Sequence, residues 1–162
     1  MKTLFKTIAS IISISALLNC AGDSDKREDP NHEQTIFPKG QPGAATNFTG
    51  NAYNTGLVAD DSTYNTLVGN VYFEKSARSN WHVHPSGQIL IVLNGEGYHQ
   101  LEGQPRQTMR KGDVIKCPPK VKHWHGATEN NSLTQLYILP KTGNGIVTWL
   151  EPVTDEQYKS NN

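Results

Sequence analysis

From residue 48 onward the sequence predicts an all-β domain, an antiparallel sandwich or barrel, and three observations predict it. Short runs rich in Val, Ile, Leu, Tyr and Trp recur at 68–73, 88–93, 98–101, 114–117, 123–127, 133–139 and 146–150. Turn-forming groups stand between them: Asn94-Gly95-Glu96-Gly97, Glu102-Gly103, Lys111-Gly112-Asp113, Pro118-Pro119 and Gly143-Asn144-Gly145. No long stretch carries the 3.6-residue period of an amphipathic helix. Many short strands with regular punctuation are the pattern of sandwiches and barrels.

Taken in order, the chain opens with Lys2 and Lys6, then an apolar run over 8–18 that is too short to span a bilayer and ends at Cys20. This is the layout of an export signal over 1–19. Leu17-Leu18-Asn19-Cys20 resembles the bacterial lipoprotein signal, in which the cysteine is acylated and becomes the first residue. Asn19 stands where that signal usually has a small residue, and an ordinary secretory signal cut nearby is the alternative. The expectation is an exported protein, lipid-anchored through Cys20 on the periplasmic side or the cell surface. Cys117 would then be the only thiol left, so no intrachain disulfide could form. Removing 1–19 leaves thirteen basic side chains against fifteen acidic ones, a net charge of −2. Nothing in that balance suggests nucleic acid.

Residues 20–47 are dominated by Asp, Glu, Lys, Gln, Pro and Gly, too few apolar groups to bury a core, and are expected to form a flexible tether. The domain is expected over 48–158, with room for one core. Ile89 to Leu93 is apolar at every position, so one face should fill the barrel and the other meet a second sheet or subunit, which predicts a homodimer. Thr154-Asp155-Glu156-Gln157 has the spacing of a capping box and predicts a short helical turn near the C-terminus.

The chemistry concentrates in Trp81-His82-Val83-His84-Pro85-Ser86-Gly87-Gln88. Side chains alternate faces along a strand, so His82 and His84 project the same way and can reach one metal ion. Gln88 follows a Pro-Ser-Gly turn that can return an amide oxygen to the same point. A second cluster, His123-Trp124-His125, offers a further imidazole. Three imidazoles and one amide oxygen suit Mn, Fe, Ni or Zn and leave positions open for substrate or water. An isolated His-x-His is far more often a surface or core pair; the combined spacing is what favours metal. Imidazole must be neutral to ligate, so binding should weaken as pH falls through about 6.

The spacing of Gly95, Gly112, Pro118 and His123 relative to His82, His84 and Gln88 resembles the two motifs of the cupins, small double-stranded β-helix barrels of jelly-roll type. Phe48-Thr49-Gly50, Ala77-Arg78, Trp81-His82-Val83-His84-Pro85, Gly112-Asp113-Val114, His123-Trp124-His125-Gly126-Ala127 and Trp149-Leu150-Glu151-Pro152-Val153 are similar to the cupin-type hydroxynitrile lyases, the (R)-mandelonitrile lyases. That resemblance implies manganese held by His82, His84, Gln88 and His123, a small-molecule substrate, and cleavage or formation of cyanohydrins. It also marks departures. Ser76 and Lys120 stand where the two motifs usually have Gly, so both turns must be made by residues with a Cβ. Gln135 occupies a pocket-facing position where the lyases carry a histidine implicated as the base, and glutamine cannot exchange protons near neutral pH.

His125 shares the parity of His123, which points it into the same bowl as a proton shuttle or leaves it as a rim histidine. His99 and His32 sit in no such pattern. Trp81 and Trp124 have the opposite parity and are expected to pack in the core. Cys117, with no base beside it in sequence, is expected to be a small buried apolar residue. The activity expected is lyase chemistry with His125 and Gln135 at the reacting centre; a metal-dependent dioxygenase and a non-catalytic ligand-binding module are the rivals.

Overall fold

The computed structural model of the chain describes residues 36–160; the expected signal segment 1–19, Cys20 and most of the expected tether lie outside the described residues. Among the described residues, twelve strands, β1 Gln41–Pro42, β2 Phe48–Thr49, β3 Ala52–Val58, β4 Thr66–Phe73, β5 Arg78–Ser79, β6 His82–Val83, β7 Gln88–Leu101, β8 Gln107–Arg110, β9 Val114–Cys117, β10 His123–Ala127, β11 Leu133–Pro140 and β12 Thr148–Trp149, are followed by the α-helix α1 Asp155–Lys159, with a short 3-10 turn at Thr142–Asn144 between β11 and β12. All pairings are antiparallel. The predicted all-β class is what forms, a curled antiparallel sheet that makes a half-barrel of the jelly-roll kind.

Strand β7 joins the two walls. Its first half pairs with β11 and β9, its second with β10 and β8, so one fourteen-residue strand belongs to both walls. The sequence reads a turn at Asn94 to Gly97; the structure has a bend instead. Gly95 sits at φ 80°, and a Cβ there would meet the Ser132 carbonyl at 1.9 Å, so glycine lets the backbone turn the corner against β11 without leaving the ladder. A register shift between Thr134 and Gln135 on β11 absorbs the same bend.

Along β7 the inward Leu90 and Val92 are buried, while Ile89, Ile91 and Leu93 are half-buried on the outer face. The inner cluster contains Val71, Phe73, Val92, Met109 and Leu133. Burial of each such side chain contributes about 1.5–3 kcal/mol. A second cluster joins Trp81, Trp124, Val153 and Tyr158, so both tryptophans pack in the core as their parity predicts.

The capping box forms: Gln157 N–H donates to Thr154 Oγ1 at 3.2 Å, and Thr154 N–H donates to Gln157 Oε1 at 2.9 Å. The helix is fastened by Tyr158, whose hydroxyl donates to the Ala127 carbonyl at 2.7 Å, and by buried Arg78, which donates to the Val153 carbonyl and to Asp155.

Order begins before the boundary read from sequence. Gln41 pairs with Asn54 and Pro42 with Tyr53, so the stretch just ahead of Phe48 is part of the sheet and not of the tether. A two-residue edge strand of Gln-Pro carries no hydrophobic pattern from which to read it. Strands β3 and β8 were missed for a related reason: each alternates polar residues with few large apolar ones.

The two turns without glycine are left-handed, with Ser76 at φ 65° and Lys120 at φ 62°. Each holds a neighbour through its amide: Ser76 N–H donates to the Thr128 carbonyl, and Lys120 N–H to that of His84, both at 2.9 Å. A side chain in this conformation costs about 1–2 kcal/mol per residue. Lys120→Gly relieves that strain, partly offset by the greater freedom of glycine in the unfolded chain, and should stabilise the domain by up to about 1 kcal/mol. A rise in the thermal midpoint is the expected result; a fall would show that the exposed Lys120 side chain contributes more than its strain costs.

Candidate metal centre

The three histidines reach one point because of what their other ring nitrogens do. His82 and His123 face each other across β6 and β10 as a directly paired couple. His82 Nδ1 lies 2.9 Å from the Asn80 carbonyl, His123 Nδ1 2.8 Å from that of Val121, and His84 Nδ1 2.6 Å from that of Ile146. A carbonyl only accepts, so each Nδ1 carries the proton and each Nε2 is left as a lone pair. The ligating nitrogens of His82, His84 and His123 all lie within 4.8 Å of one another, and all three residues are buried. His84 Nε2 is buried with no hydrogen-bond partner.

Gln88 lies beside these histidines. Its Oε1 lies 3.0 Å from His123 Nε2. With His123 donating through Nδ1, this contact sets two lone pairs facing each other, an arrangement that a cation between them would satisfy. The donor set therefore fits a transition metal: these residues could hold one, with backbone carbonyls orienting the imidazoles behind them.

Burial keeps the cluster neutral. Loss of hydration pushes His82 well below the ordinary imidazole value, with the neighbouring His123 adding to the effect. Burial lowers His84 as well, and His123 falls to about 3. The expectation that metal binding weakens through pH 6 therefore shifts downward for the folded protein, because its imidazoles resist protonation there.

His125 is built the other way round. Gln135 Nε2 donates to its Nδ1 at 2.6 Å, which places the ring proton on Nε2. His125 lines the cavity and its ring lies 5.2 Å from that of His82. Gln135 is fully buried behind it and its Oε1 has no partner. The structure thus brings His125 to the bowl, one of the two places its parity allows, and sets Gln135 behind it rather than facing the pocket as the resemblance implied, because its amide is turned onto His125 Nδ1.

The cavity over these groups has a volume of about 380 Å³. Its wall includes Phe48, Leu67, Leu139, Ile146 and Trp149, and among the described residues lining it none is charged. Sequence reasoning gave no role to His99, which lies under the centre with its ring 5.9 Å from that of His123 and its Nε2 3.2 Å from Cys117 Sγ. Its register opposite His125 was the available signal. Cys117 is buried, its thiol pushed up to about 12, in keeping with a small apolar role.

The family model for the Cupin domain matches residues 69–139. An (R)-mandelonitrile lyase of Granulicella tundricola is 46% identical over 89 residues, which are 55% of this chain and 68% of that enzyme. A cupin-like protein of Thermotoga maritima superposes with a TM-score of 0.77 at 42% identity, over 80% of this chain and 98% of that one. A DMSP lyase of Ruegeria pomeroyi shares the fold alone, with a TM-score of 0.53 at 19% identity over 67% of this chain and 54% of that one.

The buried histidines predict acid sensitivity. His99 falls to about 4 and His123 to about 3, against 6.5 for a free imidazole. A group with a depressed folded value contributes stability that is present above the unfolded value and lost as pH falls toward the folded one. Between pH 6.5 and 5 each such histidine should cost up to about 2 kcal/mol. The urea midpoint of the metal-free protein should therefore drop between pH 7 and 5; an unchanged midpoint would show that these rings are not held neutral.

Proposed function

The chain belongs to the cupin family, and from that premise we propose that it is an exported, metal-dependent cupin carrying out lyase chemistry on a small organic molecule, resembling cyanohydrin cleavage. The observation that carries the reading is the convergence of ligating nitrogens of His82, His84 and His123 with a Gln88 oxygen at a cavity that His82, His84 and Gln88 line and whose described lining has no charge. The similarity to the mandelonitrile lyase supports it. His82, His84, Gln88 and His123 would hold a divalent metal, with manganese the first choice from the resemblance and iron, nickel or zinc compatible with the donors. Such an ion supplies Lewis acidity toward a hydroxyl or carbonyl oxygen.

The chain's own residues handle the proton. In the observed tautomer His125 offers Nε2–H to the cavity. A half-turn of the Gln135 amide would let its unpartnered Oε1 accept from Nδ1–H and leave Nε2 as a base. In that state His125 Nε2 takes the hydroxyl proton as the C–CN bond breaks, its electron pair leaves with cyanide, and the carbonyl forms. The imidazolium then returns the proton to cyanide, so His125 ends neutral. Wall residues such as Leu67, Leu139 and Trp149 surround the organic group and exclude water.

The experiment is metal analysis followed by a substrate screen with an oxygen electrode. Wild type should carry about one transition-metal ion per domain, and His84→Ala should lose it. With metal bound, the protein should cleave mandelonitrile, and His125→Ala should lower that rate, since a positioned general base contributes about 10² to 10⁴-fold. Full metal occupancy in His84→Ala would refute the ligand set. Metal binding without turnover would favour a binding module, and oxygen consumption would favour a dioxygenase.

Two further properties belong to the proposal. The half-buried Ile89, Ile91 and Leu93 support a homodimer through the outer sheet face, where exposed Val114 pairs with Ile91. The sequence supports an acylated Cys20 holding the protein to a bacterial membrane. Light scattering should report two copies per particle, and Cys20→Ala should move the protein from the membrane to the soluble fraction. A stable monomer would refute the first, and wild type recovered in the soluble fraction the second.

A further inference from the structure

The segment just ahead of the domain boundary read from sequence lies against the candidate metal cavity. Gln41, Pro42, Gly43 and Ala44 all line it, and the exposed Gln41, Pro42 and Ala44 bury little of their own surface. What holds them is a set of contacts along the outer edge of β3. Lys39 Nζ sits 3.9 Å from the centroid of the Tyr53 ring and 5.1 Å from that of Tyr72, and pairs with Glu74 Oε1 at 2.8 Å. Thr55 Oγ1 donates to the Pro38 carbonyl at 2.9 Å, and Gly43 N–H donates to that of Ala52 at 2.8 Å.

Gly43 is where the segment meets the wall. A Cβ on it would lie 2.7 Å from the Phe48 ring. That ring packs on Trp149 at 5.5 Å, and Trp149 lies 5.0 Å from the His82 ring. A continuous line of contacts thus runs from the segment through Phe48 and Trp149 to the histidines. The histidines themselves stand on or beside β6 and β10, with no hydrogen bond of theirs reaching the segment.

We propose that residues 39–44 act as a strap that sets the size limit of the cavity. The histidines and Gln88 select a metal-chelating oxygen group, and the strap with Phe48 decides how large an apolar group that ligand may carry. The substrate class is accordingly a chelating head on one compact apolar ring or chain, with fused-ring analogues excluded while the strap is seated. The chelating half of this statement rests on the metal-site reading; the strap half does not.

Two measurements on the full chain test it, using the double variant Lys39→Ala/Gly43→Ala, with Arg110→Ala as a control that removes an exposed ion pair to Glu96 elsewhere. The first is acrylamide quenching of tryptophan fluorescence in metal-free protein. Trp81 and Trp124 are buried in a separate cluster, so Trp149 reports on the cavity. Quenching should increase in the double variant and not in the control. The second is titration of the cobalt-loaded protein, followed by its visible bands, with acetohydroxamate and 2-naphthohydroxamate. Wild type should bind the naphthyl compound about tenfold more weakly, and the double variant should close most of that gap with acetohydroxamate affinity unchanged. Unchanged quenching in a variant with wild-type circular dichroism overturns the strap, as does a wild type that binds both hydroxamates alike. If neither hydroxamate binds in any variant, the metal reading fails, and quenching alone decides the strap.

Discussion

The structure turns on three hydrogen bonds from imidazole N–H groups to backbone carbonyls. Each fixes a ring in one tautomer and leaves its second nitrogen bare, in a place where burial prevents that nitrogen from taking a proton. Two of the carbonyls are local, Asn80 and Val121, each two residues before the histidine it orients. The third belongs to Ile146, sixty-two positions from His84 along the chain. The triad is therefore half assembled by its own strands and completed only when the segment after β11 folds back. The same return brings Ile146, Val147 and Trp149 to the cavity wall, so the centre and its apolar cover form together.

Much of this was legible in the sequence because it depends on parity and spacing. Two-residue periodicity put His82 with His84 and His123 with His125, and sent Trp81 and Trp124 to the opposite face, where they meet each other at 6.5 Å. The capping box at Thr154 was equally readable, being a local device. What could not be read was whatever depends on where distant backbone lies. The tautomer of His125 is set by Gln135, a partner ten residues away on another strand, and nothing in either residue type announces it. Gly95 reads as a turn, yet its function is to let a strand continue around a corner, which only the nearby Ser132 carbonyl reveals. The edge strand Gln41–Pro42 has no pattern at all; it is recruited by the open side of β3.

Ser76 and Lys120 show how the fold tolerates a locally unfavourable choice. Both adopt the left-handed turn that glycine makes without strain, because the amide of each is committed to a carbonyl at 2.9 Å. For Lys120 that carbonyl is on His84, so the turn contributes directly to the position of a candidate ligand. The tertiary structure overrides the residue preference at the point where geometry matters to the site.

Charge gives the last constraint. The triad and Gln88 are all neutral, and no charged side chain is among the described residues around the cavity. A carboxylate at position 88 would have given the centre one negative charge of its own; the amide gives it none. A divalent cation held in this uncharged site would keep its whole charge, and the cost of burying it would have to be offset by what binds beside it. Charge balance would then fall to the ligand, best served by a coordinating oxygen that becomes anionic on binding with an apolar remainder; a second anionic group would find no partner among the described wall residues. The choice of Gln at 88 and the choice of an uncharged lining are consequently one specification, expressed once among the candidate ligands and once at the wall.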